Sequence, residues 1–305
     1  MEESYPRERC YTSRPAMPLP LVSSDASVVL QRDADRPDVT ERYKTHRRFD
    51  RAARLFGEPG FHKLMGARVV IFGMGGVGSF AAEALARSGV GHLTLVDFDE
   101  VCVTNTNRQL HALRGNIGKQ KVEVMAERLR LVSPTATIEP VAKFYQAETS
   151  DELLSGPIDY VIDAIDNLTA KTHLLATCLA RGIPVVASMG AAAKLDPTRV
   201  RTGDLSDTEV CPLARDVRTL LRKNHGVSVV KGTPVGIQAV WSNEPAIAPQ
   251  AVSYDEGQGF VCVCPNKDNG LYTCDRRTRI DGSASFVTGT FGLAAASVVV
   301  RALIA

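Results

Sequence analysis

The apolar positions between residues 66 and 200 alternate between two spacings. Short apolar runs predict buried β-strands at residues 68–72, 92–96, 137–141, 160–162 and 184–187. Apolar residues three and four apart predict amphipathic helices at residues 77–88, 119–131 and 169–181. Strands and helices therefore alternate with short connections. This order indicates an α/β fold with a doubly wound, mainly parallel sheet.

The sequence before this region has a different pattern. Residues 1–40 mix five prolines with charges and serines, which is typical of a flexible extension. Residues 41–66 are rich in arginine and predict a basic helix that ends near Gly66. We therefore expect an N-terminal extension at residues 1–40 and one folded domain at residues 41–305.

The strand–helix rhythm changes after residue 200. The pattern predicts a basic helix at residues 208–223, a strand at 235–241 and an irregular loop at 253–281. We therefore expect the core of the domain at about residues 66–200 and a smaller, irregular C-terminal extension at about 201–305.

The last 22 residues, 284–305, are nearly all apolar and are long enough for a membrane helix. Arg301 interrupts this run, however, and a spanning helix rarely carries an unpaired arginine. Small residues such as Gly289 and Gly292 give the helix a surface that packs closely. We predict a buried or dimer-packing helix and no membrane association.

The composition is that of a globular protein. Of 305 residues, 44% are hydrophobic and 23% are charged, and the formal net charge is +2. Such a small net charge excludes a global attraction to polyanions, so any nucleic-acid surface must be a local patch.

The cysteines and the N-terminus indicate the cellular compartment of the protein. Seven sparse cysteines suit a reducing environment rather than a disulfide framework. The N-terminus has no apolar segment of the secretory type. We expect a cytoplasmic protein; a mitochondrial location is the alternative if residues 1–40 act as a transit peptide.

The first chemical signal is a glycine motif between the first strand and the first core helix. It contains Gly73, Gly75, Gly76 and Gly78, and the next strand ends at Asp97. Glycines there let the backbone approach phosphates at a helix N-terminus, and a carboxylate at the next strand can accept hydrogen bonds from ribose. The motif predicts a Rossmann-like nucleotide site; a tight turn without a ligand is the alternative.

Two cationic residues follow this motif, and they indicate which kind of nucleotide binds, a triphosphate or a dinucleotide. Arg108 offers a planar fork for phosphate oxygens, and Lys121 offers a point charge. A dinucleotide leaves both unexplained, whereas ATP needs its β- and γ-phosphates held as pyrophosphate departs. We therefore expect ATP, with two solvated surface cations as the alternative.

Asp166 stands where the predicted strand at residues 160–162 gives way to the next helix. A carboxylate at the carboxyl end of a parallel strand can hold Mg²⁺, so we predict a magnesium ligand. Because Asp166 and Asn167 precede a helix, an N-cap is the alternative role.

These motifs, in this order, resemble the ubiquitin-activating-enzyme-like (ThiF/MoeB-type) adenylyltransferase superfamily over roughly residues 42–305. Longer runs are similar to its tRNA threonylcarbamoyladenosine dehydratase branch. They lie at residues 53–57, 81–87, 99–109, 126–128 and 283–292.

The resemblance implies a role for each matching residue. Arg108, Lys121 and Asp166 fall on catalytic positions, and Asp166 is also the metal-associated one. The nucleotide-binding positions fall on the four motif glycines, Asp97, Asp99, Asn107 and Arg54. The arginine matched to Arg54 reaches ATP from the neighbouring subunit in dimeric members.

The branch implies an ATP-dependent dehydratase that adenylates the threonyl carboxylate of threonylcarbamoyladenosine in tRNA and drives its cyclisation. The alternatives are an enzyme that adenylates the C-terminal glycine of a ubiquitin-like or sulfur-carrier protein, and a nucleotide-binding scaffold without turnover. The implied partners are tRNA and a second copy of the chain, and a sulfur-relay protein stays open.

A tRNA surface requires a local basic patch. Arg215, Arg218 and Arg222 are three and four residues apart on the predicted helix and share one face. Arginines at 276, 277 and 279 lie in the irregular loop that follows. Both are candidate tRNA contacts, and a solvated helix face is the alternative.

Carrier-activating members of the superfamily often have two Cys-x-x-Cys pairs that bind structural zinc. This sequence has none. Four other cysteines leave a zinc site open: Cys211, Cys262, Cys264 and Cys274. Nothing in the sequence marks a base beside Cys211, which argues against a thioester nucleophile.

Overall fold

The computed structural model describes residues 47–250, 252 and 281–305. The helices are α1 (Asp50–Phe56), α2 (Glu58–Gly66), α3 (Gly78–Arg87), α4 (Lys121–Val132), α5 (Ala147–Leu153), α6 (Leu168–Arg181), α7 (Pro212–His225) and α8 (Ser285–Ile304). The strands are β1 (Arg68–Phe72), β2 (His92–Val96), β3 (Thr137–Val141), β4 (Tyr160–Asp163), β5 (Val185–Ser188), β6 (Val200–Asp204) and β7 (Ile237–Ser242). The predicted flexible extension, three of the four candidate zinc cysteines and the three loop arginines lie outside the described residues.

These strands form one sheet in the order β3-β2-β1-β4-β5-β7-β6. All neighbours are parallel except β6, which runs antiparallel to β7. At the carboxyl end of β1, Phe72 pairs with Val96 of β2 on one side and with Asp163 of β4 on the other. The strand order reverses at this point, where open α/β sheets bind ligands. The predicted doubly wound, mainly parallel α/β fold is confirmed.

Alternate residues of β1 enter two different cores. Val69 and Ile71 pack with α3, α4 and α8 on one face of the sheet. Val70 and Phe72 pack with α6 and α7 on the other. This alternation follows from the period of two along a strand, and burial on both faces explains why the strand reads as a continuous apolar run.

Helix α8 is a core helix. By length and composition it could cross a membrane, but 56% of its most apolar window is buried inside the protein. An added Cβ at Gly292 would lie 2.4 Å from the Val77 carbonyl oxygen and 2.8 Å from the Phe80 Cβ. The small residues therefore let α8 approach α3 of the same chain, as the buried-helix prediction requires.

The structure differs from the predicted elements in three places. The basic helix expected over residues 41–66 is broken at Gly57, whose φ of 75° and ψ of 154° separate α1 from α2. Helix α5 was not predicted, because only Ser150 and Leu153 of its seven residues are buried and its apolar pattern is weak. Strand β6 was not predicted either: it is a partly exposed edge strand of the sequence VRTGD.

Candidate active site

The glycine loop is built so that its backbone comes close to its neighbours. Gly73 has a φ of 92°, and an added Cβ there would lie 2.6 Å from the Ala164 carbonyl oxygen. An added Cβ at Gly78 would lie 1.8 Å from the Gly73 carbonyl oxygen. Gly75, in contrast, has no described atom near its Cβ position, so its backbone faces open space. The loop thus presents the amino end of α3 at the edge where the strand order reverses.

Asp97 holds this loop from the end of β2. Its Oδ2 accepts a hydrogen bond from the Met74 amide at 2.6 Å, and its Oδ1 accepts one from the Asp99 amide at 2.8 Å. Burial raises the pKa of Asp97, while the charge of Lys121 opposes that shift. Each carboxylate oxygen has two lone pairs, so Asp97 can still accept from a ribose hydroxyl. The sequence predicted the ribose role but not the support of the glycine loop.

Lys121 is a buried cation. It is the first residue of α4, its side chain is 7% exposed, and its Nζ lies 2.7 Å from the Asp99 carboxylate. Burial acts to lower the pKa of Lys121, but the charges of Asp97 and Asp99 outweigh it, and the pKa is raised. A solvated surface lysine does not show this burial, so that alternative is wrong for Lys121.

Arg108 lies against the glycine loop. An added Cβ at Gly76 would lie 3.1 Å from the Arg108 Cγ. Its Nη1 donates to the Thr104 carbonyl and to the Asn107 Oδ1, both at 2.9 Å. The Asn107 amide in turn donates to the Ser283 carbonyl at 2.9 Å, just before α8. Asn107 therefore ties the Arg108 segment to the start of α8.

Asp166 is exposed in the loop between β4 and α6. This loop meets the glycine loop, because an added Cβ at Gly73 would lie 2.6 Å from the Ala164 carbonyl oxygen, and the charge of Asp166 acts to raise the pKa of Lys121. The N-cap of α6 is Asn167, whose Oδ1 accepts from the Ala170 amide at 3.0 Å. The alternative that Asp166 caps the helix is therefore wrong: the capping residue is its neighbour.

The carboxylate of Asp166 is suited to bind Mg²⁺ together with phosphate groups. Asp163, the last residue of β4, is paired with Lys171, whereas the carboxylate of Asp166 in the following loop is exposed. Within the described ranges, no group of three or more His, Cys, Asp or Glu side chains forms a metal cage. Mg²⁺ commonly uses one or two carboxylates together with substrate phosphates and water.

Arg54, a predicted nucleotide contact, and Cys211, an open zinc candidate, have other surroundings in the described part of the chain. Arg54 is 78% exposed on α1, and its ion pair is with Asp50 at 3.0 Å, one turn earlier in the same helix. Cys211 is buried at the N-cap of α7, which does not suit an accessible nucleophile. Within one chain, the structure unites the glycine loop, Asp97, Asp99, Arg108, Lys121 and Asp166.

Two arginines on the basic face of α7 form hydrogen bonds within the protein. Arg218 Nη1 donates to the Thr208 carbonyl at 3.0 Å and also contacts the Thr208 hydroxyl. Arg215 donates to the Asp216 carboxylate at 3.1 Å. The side chain of Arg215 is nevertheless 70% exposed and Arg222 is exposed, so the tRNA contact of this helix stays a prediction.

Comparison with known proteins agrees with this geometry. The ThiF family model matches residues 49–305. The tRNA threonylcarbamoyladenosine dehydratase of Escherichia coli (strain K12) is 40% identical, over 85% of this chain and 94% of that protein. The enzyme of the same name from Bacillus subtilis (strain 168) is 45% identical, over 65% and 76%. This chain belongs to the ThiF family.

A solved structure matches the same extent of the chain. The crystal structure of the E. coli dehydratase in complex with ATP has a TM-score of 0.73 and 38% identity to this chain. The match covers 85% of this chain and 94% of that one. The resemblance inferred from the sequence motifs, to the superfamily and to this branch, is confirmed.

Proposed function

We propose that this chain is an ATP-dependent tRNA threonylcarbamoyladenosine dehydratase. The observation that carries the proposal is the meeting of the glycine loop, Asp97 and the buried cation Lys121 at one edge of the sheet. The name and extent of the E. coli and B. subtilis relatives support the substrate, and the ATP complex of the E. coli enzyme supports the nucleotide.

The proposed reaction has two steps. The threonyl carboxylate of the modified nucleoside attacks the α-phosphorus of ATP, and the bond to pyrophosphate breaks. The carbamoyl group of the same nucleoside then attacks the activated carbonyl, AMP leaves and a proton is lost. The tRNA thereby loses one water and gains a ring. Because both reacting groups belong to one nucleoside, correct positioning supplies much of the acceleration.

The chain's own residues supply binding and charge stabilisation. The glycine-loop amides at the start of α3 face the phosphates, and Asp97 accepts from the ribose. Lys121, held by Asp99, and Arg108, positioned by Asn107, neutralise the charge that develops on departing pyrophosphate. No protein nucleophile is required.

Mg²⁺ belongs to the proposal as a companion of ATP. Asp166 would hold it together with phosphate oxygens and water, and the ion supplies charge neutralisation at the triphosphate when bound. The exposed position of the Asp166 carboxylate supports this assignment.

The proposed enzyme is a cytoplasmic homodimer whose catalytic domain spans residues 41–305. Dimerisation would let Arg54 of one copy reach the nucleotide of the other, and the exposure of that side chain supports such a role. A sulfur-relay protein is a further partner that the family resemblance suggests.

The test is a defined reaction. Purified chain, ATP, Mg²⁺ and tRNA carrying threonylcarbamoyladenosine are incubated together, and the tRNA is then digested to nucleosides. The proposal expects AMP and pyrophosphate in equal amounts and a nucleoside lighter by one water. Pyrophosphate release only with a carrier protein that ends in glycine would overturn it in favour of the carrier-activating alternative.

A further inference from the structure

A cleft lined by arginines lies at the end of α3 and α4 remote from the glycine loop. Its walls are Arg48, Phe49, Arg87, Arg128, Leu131 and Val132. None of these residues is acidic, and three of the six are arginines. No residue of the candidate active site lines it, so the cleft is a separate feature of the described structure.

One carboxylate lies among the guanidinium groups. Glu83 Oε1 is 2.6 Å from Arg87 Nη2, and Glu83 Oε2 is 2.8 Å from Arg128 Nε. Burial acts to raise the pKa of Glu83, but the two arginines outweigh it, and the pKa is lowered. Glu83 is therefore ionised at neutral pH. Its single charge leaves the cleft, with Arg48, about two positive charges in excess.

The arginines present donors to solvent. The side chain of Arg87 is 61% exposed and that of Arg128 is 37% exposed. Arg48 Nη1 donates to the Val132 carbonyl at 3.2 Å, at the end of α4. Each guanidinium has five N–H donors, more than these contacts use. The planar fork of arginine matches the oxygens of a phosphate group.

Two helices connect the cleft to the active site. Helix α3 runs from Gly78 at the glycine loop to Arg87, and in α4 Arg128 follows Lys121 by about two turns. At 1.5 Å per residue, these separations place the cleft arginines roughly 10–14 Å along the helix axes from the site. A polynucleotide with one nucleoside in the site can cover that distance with neighbouring phosphates.

We propose that this arginine cleft binds backbone phosphates of the substrate tRNA. The inference rests on the proposed function, because it names the surface that holds that substrate. The small net charge of the chain makes a local patch necessary. Such contacts set the register and orientation of the RNA and do not read its bases.

The experiment compares a double variant with a matched control. Arg48→Gln with Arg87→Gln removes one arginine bonded to a backbone carbonyl and one ion-paired arginine. The control, Arg201→Gln with Arg181→Gln, removes the same two kinds of arginine, bonded to the Thr198 carbonyl and to Asp151. tRNA affinity is measured at several salt concentrations, and ATP affinity is measured in parallel.

The cleft proposal expects a shallower salt dependence. Loss of two phosphate contacts reduces the slope of log affinity against log salt by about 1.4 to 1.8. ATP affinity stays at the wild-type value, and the control keeps the wild-type slope. Equal slopes for wild type and the cleft variant would overturn the proposal. If the double variant fails to fold, Arg87→Gln alone serves, with an expected change of about 0.7 to 0.9.

Two further arms separate the other outcomes. Inorganic phosphate and AMP are titrated as competitors of tRNA; competition at micromolar phosphate that Arg87→Gln abolishes would identify a free-anion site and overturn the tRNA assignment. Nucleoside mass analysis of the wild-type reaction tests the proposed function independently. A salt-slope change with unmodified product would support the cleft and reject the dehydratase activity.

Discussion

The ammonium group of Lys171 lies 2.6 Å from the Asp163 carboxylate, and neither side chain has any exposed surface. Asp163 Oδ1 also accepts a hydrogen bond from the Ile165 amide at 3.0 Å. Burial raises the pKa of Asp163, and Lys171 opposes that shift. This pair fixes the start of the loop that carries Asp166, so it positions a candidate ligand that it does not contact.

Lys171→Met should therefore be strongly destabilising. Removing one partner of a buried pair leaves an uncompensated charge, at a cost of about 3–5 kcal/mol. Urea denaturation would measure the change in unfolding free energy. Lys171→Met with Asp163→Leu removes both charges and should recover most of the loss. A single variant as stable as the wild type would show that the pair contributes nothing to the fold.

Lys121→Ala should abolish most pyrophosphate release while the fold is retained. Loss of one preorganised charge contact typically lowers kcat by about 10²–10³-fold. Arg108→Ala should act in the same direction. Lys119→Ala is the matched control, because Lys119 is an exposed lysine two residues away. The assay is pyrophosphate release with saturating tRNA. Wild-type turnover in Lys121→Ala would remove that residue from the chemistry.

Asp166→Asn should weaken Mg²⁺-dependent turnover more than nucleotide affinity. A neutral amide loses the charge that a divalent ion requires. Helix α6 should keep its stability, because its cap is Asn167. Asn167→Ala is the converse variant and should cost about 1 kcal/mol of stability. The measurements are the Mg²⁺ concentration for half-maximal rate and the thermal midpoint. An unchanged magnesium requirement in Asp166→Asn would exclude the ligand role.

The elements predicted best from the sequence are those with one strong period. Strand β1 was predicted at its exact limits, since burial on both faces makes it a continuous apolar run. Strand β6 was missed because it is an edge strand whose residues alternate little and include Gly203. The local sequence pattern of β6 does not show that β7 lies beside it and can pair with it.

The candidate site was predicted as a set of residues but not as a structure. Asp97, Arg108, Lys121 and Asp166 occupy motif positions that a sequence displays directly. That Asp97 accepts the Met74 amide depends on how two strands and a loop meet, which spacing alone does not specify. The pairing of Asp163 with Lys171 was not predicted, because a lysine inside a helix is usually solvated.

His111 should make stability depend on acid pH. It is 1% exposed, and neither ring nitrogen has a hydrogen-bond partner among the described residues. Burial, reinforced by the charges of Lys121 and Arg128, lowers the pKa of His111 to about 4. The native protein therefore binds this proton less readily than the unfolded chain, whose histidine has a pKa of about 6.5.

The protein should therefore be less stable at pH 4 than at pH 7 because of His111. The contribution of neutral His111 is fully present above about pH 6.5 and is lost as the pH falls through about 4. The loss amounts to about 3 kcal/mol. The check is unfolding free energy between pH 7 and pH 4 for the wild type and His111→Leu. The difference between the two should change across this interval, and parallel curves would contradict the assignment.

Arg218 on α7 should contribute to the stability of the fold. Because it donates to the carbonyl of Thr208, a residue that is 5% exposed, Arg218→Ala leaves a buried acceptor without this donor. The expected cost is about 1–3 kcal/mol of unfolding free energy. Arg222→Ala, one turn later on an exposed position, should stay within about 0.5 kcal/mol of the wild type. Chemical denaturation of both variants distinguishes them. Equal stabilities would mean that the contact with Thr208 is dispensable and would leave Arg218 available to bind tRNA beside Arg222.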